Sequence, residues 1–168
     1  MKKYHNPPEK DKLIEIITIA LSTTNTQLLE SDINTELAGS TLVAVFVYNE
    51  RILAFNVGDS RAILLNEKKN PSFKGSPPEQ NSLPQLSHIK VPEEFEWTIF
   101  PLSIDQKPDR PDERQRILKF GGRVFAQTNE QGDELGPVRV WMKDVMMPGL
   151  AMTRSFGDKA GIKSGTNA

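Results

Sequence analysis

Residues 37–65 read LAGSTLVAVFVYNERILAFNVGDSRAILL, and the fold turns on how this stretch divides. Three runs rich in Val, Ile, Leu, Ala and Phe, at 41–48, 52–57 and 62–65, are parted by Asn49-Glu50-Arg51 and by Gly58-Asp59-Ser60-Arg61, both turn-type sequences. This pattern predicts an antiparallel meander. Runs as apolar as AVFV and ILAF, with little strict alternation, predict strands covered on both faces, so other elements should pack over them.

Upstream, Lys2 to Pro8 carries Pro7 and Pro8 and reads as a loop leading in. Then Leu13, Ile16, Ile17, Ala20, Leu21, Thr24 and Leu28 recur at three- and four-residue intervals, predicting a core helix whose apolar stripe lies on the meander. Downstream, residues 66–101 are polar and hold Pro71, Pro77, Pro78, Pro84 and Pro92, the composition of a long insertion or mobile loop. Within it Phe95, Trp97, Ile99 and Phe100 alternate with Glu96 and Thr98, suggesting a short strand that rejoins the sheet. Asp109 as N-cap, Pro111, Asp112 and Glu113 in a first turn, and Gly121-Gly122 as the stop predict a short capped helix. Residues 123–126 and 138–141 then read as a strand and its returning partner across a polar turn at 127–136. There is no internal repeat.

A chain of 168 residues, 37% hydrophobic and 26% charged, has the make-up of one globular domain with a real core. A formal net charge of -1 gives no pull toward nucleic acid, and Lys68-Lys69 is too short to be a basic patch. With no Cys there is neither disulfide nor thiolate site, and His5 and His88 lack metal-ligand spacing. The apolar segment 13–21 contains Glu15, is too short to span a bilayer and lacks a signal peptide's flanks. The expectation is a soluble, intracellular protein of cytoplasm or nucleus, with no nucleic-acid or membrane partner.

For chemistry, Asp59, Asp105 and Asp158 each sit at a turn or element end from which a side chain can reach a shared site, and Mg²⁺ and Mn²⁺ favour such oxygen ligands. Against this, an Asp after Gly in a tight turn more often bonds backbone N–H groups. Arg61 and Arg154, each beside a Ser, have the chemistry to clamp a phosphate, though a solvated or ion-paired arginine is commoner. Gly121-Gly122 lacks the third glycine and the Lys-Ser/Thr of a phosphate-cradling loop.

Five blocks in order, Gly39-Ser40-Thr41, then 56–62 (NVGDSRA), Asp105-Gln106-Lys107-Pro108, Gly121-Gly122-Arg123-Val124 and 149–158 (GLAMTRSFGD), resemble the central motifs of the metal-dependent type 2C protein serine/threonine phosphatases. The likeness runs over about residues 13–163 of a partial domain spanning 1–168, and 136–141 (GPVRVW) is similar to many plant and protist members. The resemblance implies an α+β fold, a layered α/β/β/α sandwich of two antiparallel sheets flanked by helices, here incomplete at both ends. It implies hydrolysis of phosphoserine and phosphothreonine in phosphoprotein substrates with Mg²⁺ or Mn²⁺. Two ions bridged by a water make a hydroxide-like nucleophile, so acidic side chains must converge. By the same resemblance Asp105 matches an aspartate that holds an additional, weaker metal ion, while Asp59, Arg154 and Asp158 are structural or order the site.

The departures carry as much weight. The family's Asp-His-Lys-Pro block has Gln106 in place of its histidine, and the upstream Asp-Gly-His-Gly block, the earlier Glu-Asp pair and the phosphate-binding arginine are not found. No Asp-Gly dipeptide occurs anywhere, and the downstream aspartate motifs are absent too. The reading is therefore the middle of a catalytic domain, inactive by itself, with no acid histidine or main metal ligands of its own. The alternative is a non-catalytic phosphatase-like binding or regulatory module.

Overall fold

A computed structural model describes residues 10–48, 51–67 and 97–166. The first part of the expected meander is present: β2 (Leu42–Tyr48) and β3 (Arg51–Val57) pair antiparallel from Leu42 opposite Val57 to Tyr48 opposite Arg51. The third run departs from expectation. β4 (Ile63–Glu67) is hydrogen-bonded not to β3 but to β5 (Trp97–Pro101), with Ile63 opposite Pro101 and Glu67 opposite Trp97. The reason lies in the 58–62 connection, whose N–H groups at Gly58 and Ala62 are taken by the side chains of Gln106 and Ser103, so it is not free to close a hairpin. The strand suggested within residues 95–100 is present from Trp97 as β5, though it pairs with β4 and not with the β2 and β3 hairpin, and the expected insertion at 66–100 has its residues 68–96 outside the described ones.

Helix α1 (Lys10–Glu30) forms as the apolar spacing requires, but it packs principally against β9 (Phe156–Gly157) rather than the hairpin. Asn25 Oδ1 accepts from the Gly157 N–H at 3.0 Å. Leu13, Ile17, Leu21, Asn25 and Leu28 make its half-buried stripe, with Ile16, Ala20 and Thr24 of the expected one left exposed. Nor are the hairpin strands covered throughout, since the consecutive Val45, Phe46 and Val47 are 45, 46 and 73% exposed.

Between Pro111 and Lys119, α2 has Arg110, not Asp109, at its N-cap, with no side-chain cap bond. Pro111 at the first position needs no partner for a missing N–H, and Arg110 instead forks onto Asp112. The predicted glycine stop is present: Gly121 has φ 83°, its N–H bonds Leu118 O, and Gly122 N–H bonds Ile117 O, the Schellman pattern. A three-stranded antiparallel sheet follows, β6 (Arg123–Phe125), β7 (Arg139–Trp141) and β8 (Pro148–Leu150), the last unforeseen from the sequence. Ile117 of α2 presses on Val124 and Val140, and Val138 and Leu150 close this core. Also unforeseen are β1 (Gly39–Ser40), paired with β9, and the single-turn α3 (Lys159–Ile162). The chain is α+β.

Candidate functional site

Three connections meet beside β3 and β4: residues 58–62, 102–110 and 151–155. Gln106 joins them. Its Oε1 accepts from the Gly58 N–H at 2.6 Å, its Nε2 donates to Asn56 O at 3.4 Å, its own N–H bonds Gly58 O, and its carbonyl accepts from the Thr153 N–H at 2.8 Å. Asn56 Nδ2 completes the joint on Ile104 O at 2.9 Å. One amide side chain thus satisfies backbone groups that would otherwise be orphaned beneath the loops.

The joint fixes Asp105, which is buried at 5% exposure. Arg61 forks onto it, Nε to Oδ1 at 2.8 Å and Nη2 to Oδ2 at 2.7 Å, and this bonding raises the guanidinium pKa above its ordinary value. Lys107 Nζ stands 3.9 Å from Oδ2 of both Asp59 and Asp105, and Arg110 donates to the Asp105 carbonyl at 3.1 Å. Asp59 and Asp105 therefore share a corner around the Lys107 ammonium. Asp158 does not join it by any contact described. It lies buried in the left-handed conformation, φ 44°, at the start of α3, with Gly39 of β1 against its carboxylate and its N–H on Ala38 O.

A second polar cluster escaped the sequence reading. Glu113, noticed only as a first-turn helix residue, is buried and accepts from Thr153 Oγ1, Arg116 Nη2 and Arg154 Nε and Nη2. Burial pushes its carboxyl up, but the hydrogen bonds from Arg116, Arg154 and Thr153 and the charge of Arg154 outweigh that and hold it at about 2. The only local hint was the three-residue spacing to Arg116. Of the two phosphate-clamp candidates, Arg61 is thus paired with Asp105 and Arg154 with Glu113. Among the described residues no three His, Asp or Glu side chains converge as a metal site needs.

The family model for protein phosphatase 2C matches residues 6–167. The chain belongs to the protein phosphatase 2C family. It is 31% identical over 148 residues to the Arabidopsis thaliana protein described as "Probable protein phosphatase 2C 35", covering 80% of this chain and 35% of the relative. A second Arabidopsis thaliana protein, "Probable protein phosphatase 2C 18", is 36% identical over 121 residues, 72% of this chain and 18% of its own length. In three dimensions the chain is similar to the crystal structure of serine-threonine phosphatase 2C from Toxoplasma gondii, with TM-score 0.61 and 20% identity over 99% of this chain and 49% of that one. It spans 35% or less of these curated relatives and about half of the solved protein.

The phosphatase 2C family is metal-dependent, so the acid groups here must be weighed against that chemistry. Both oxygens of Asp105, the carboxylate singled out from the sequence for a metal, already accept from Arg61. A two-ion centre needs several converging carboxylates. The described residues of this phosphatase 2C chain do not by themselves fit one.

Proposed function

We propose that this chain supplies the middle of a Mg²⁺- or Mn²⁺-dependent protein phosphatase 2C domain that hydrolyses phosphoserine and phosphothreonine in phosphoproteins, and that these residues alone do not catalyse. The supporting observation is the Gln106 joint, which draws three family motif blocks, 56–62, 105–108 and 149–158, onto one another. In this reading Asp105 stands on the metal side of the domain, and Asp59, Arg154 and Asp158 shape the loops around it. Work inside the cell, in cytoplasm or nucleus, goes with the same reading. No helix among the described residues is long and apolar enough to cross a membrane.

The test is hydrolysis of p-nitrophenyl phosphate and of a phosphothreonine peptide with millimolar Mn²⁺, run on the 168-residue chain and on the product of its complete reading frame. Turnover by the complete product alone supports the proposal. Mn²⁺-dependent turnover by the 168-residue chain that disappears in Asp105→Ala would overturn the proposal and make Asp59, which shares the Lys107 corner, the first candidate for a further ligand. No turnover from a complete product that also lacks an Asp-Gly-His-Gly block would favour a non-catalytic binding module, a reading consistent with the ion-paired state of Asp105.

A further inference from the structure

Asp105 is nearly sealed from water, and its carboxylate already faces two cations. The Arg61 fork uses both oxygens, at 2.8 and 2.7 Å, and Lys107 lies 3.9 Å from Asp105 Oδ2 and 3.9 Å from Asp59 Oδ2, between the two acids. Two carboxylates and two cations cancel in formal charge. A hard divalent ion gains most where oxygen ligands carry net negative charge, and this corner offers none to spare.

We infer that Arg61 and Lys107 are the resident cations of the Asp59 and Asp105 corner, and that a divalent ion binds Asp105 only by displacing them. The inference rests on the placing of Asp105 beside the metals and adds an internal competitor to it. The geometry says which partner moves. Asp105 is 6% exposed at its side chain, its carbonyl is held by Arg110, and the next residue is held in the Gln106 joint, so the carboxylate has little open space to turn into. Arg61 and Lys107 side chains are 33 and 45% exposed, so each has water to swing into. Exchange therefore opens a fork of two charge-assisted bonds before the ion gains its own, which weakens binding.

The experiment is a Mn²⁺ titration, followed by the electron paramagnetic resonance of the free ion, on the 168-residue chain, on Lys107→Met, on Arg61→Leu with Lys107→Met, and on each with Asp105→Asn added. Circular dichroism checks the fold. The double variant is expected to bind Mn²⁺ at least about tenfold more tightly than the natural chain. Lys107→Met alone, which keeps the fork, shows a smaller gain, and Asp105→Asn removes both gains. A second readout needs no variant: the Arg61 Nε–H resonance moves on adding diamagnetic Mg²⁺ only as the site fills. Equal Mn²⁺ affinity in the natural chain and the variants, lost with Asp105→Asn, overturns the inference and leaves Asp105 a metal ligand. Mn²⁺ binding that Asp105→Asn never changes, or none in any variant, overturns both the inference and the metal role of Asp105, leaving family membership intact. Should the double variant not fold, absence of any gain in Lys107→Met is enough to overturn the inference.

Discussion

The carboxylate of Glu113, in the first turn of α2, meets the guanidinium of Arg154, in the loop before β9, with Nη2 3.0 Å from Oε1. The same carboxylate holds Arg116 at 2.6 Å and Thr153 Oγ1, so one buried acid ties α2 to a connection 40 residues away. Removing it takes the counter-charge from Arg154 and breaks the bonds that Arg116 and Thr153 make to it in a largely dry place. Glu113→Ala should lower stability by about 3–5 kcal/mol, whereas Arg154→Ala should cost less because Arg116 and Thr153 still satisfy the carboxylate. Urea unfolding of the two variants beside the natural chain measures the difference. Equal losses would mean that Glu113 contributes through Arg154 alone.

The pH dependence of stability has a sign set by the same group. Glu113 is held at about 2 in the folded chain, below its ordinary 4.5, so the folded state binds its proton less readily than the unfolded one. Its contribution is fully present above about 4.5 and is lost as pH falls from there toward 2. The thermal midpoint of the natural chain should fall across that window. Glu113→Gln should be less stable at neutral pH and flatter below pH 4.5, and a parallel decline in both proteins would assign the acid sensitivity to other groups.

Gln106 is the residue whose loss should be felt most widely for its size. Gln106→Leu keeps the bulk but strands the Gly58 N–H and the Asn56 carbonyl, a penalty of about 1–3 kcal/mol. Amide hydrogen exchange gives the more specific check. Gly58 should lose protection while the Ile117 amide, in α2, keeps its own.

Two glycines should respond to alanine for different reasons. A Cβ at Gly39 would stand 2.2 Å from Asp158 Oδ2 and 2.6 Å from the Phe156 carbonyl, so Gly39→Ala should separate β1 from β9 and cost at least about 1–3 kcal/mol. At Gly121, with φ 83° and nothing within 4 Å of a new Cβ, only the left-handed backbone resists, and Gly121→Ala should cost about 1 kcal/mol. Chemical denaturation of both variants tests the order, and a larger loss at Gly121 would refute it.

Local chemistry alone was enough for the elements that satisfy themselves locally. The β2 and β3 hairpin follows from two apolar runs around a short turn, α2 from Pro111 and the Gly121-Gly122 stop, and β6 and β7 from apolar runs flanking a polar turn. The family, too, was legible, because its motif blocks are short continuous strings. What the sequence could not decide were the partnerships made across long separations. Pairing of β4 with β5 rather than β3, packing of α1 on β9, and the strands β1, β8 and β9 depend on which backbone groups distant side chains claim first, as Gln106 and Ser103 do at Gly58 and Ala62. The acids follow the same division. Asp105 could be singled out from its motif, but only the tertiary structure places Arg61 and Lys107 on it and makes Glu113 a buried centre, because an ion pair needs two side chains brought within bonding distance and spacing along the chain does not record that distance.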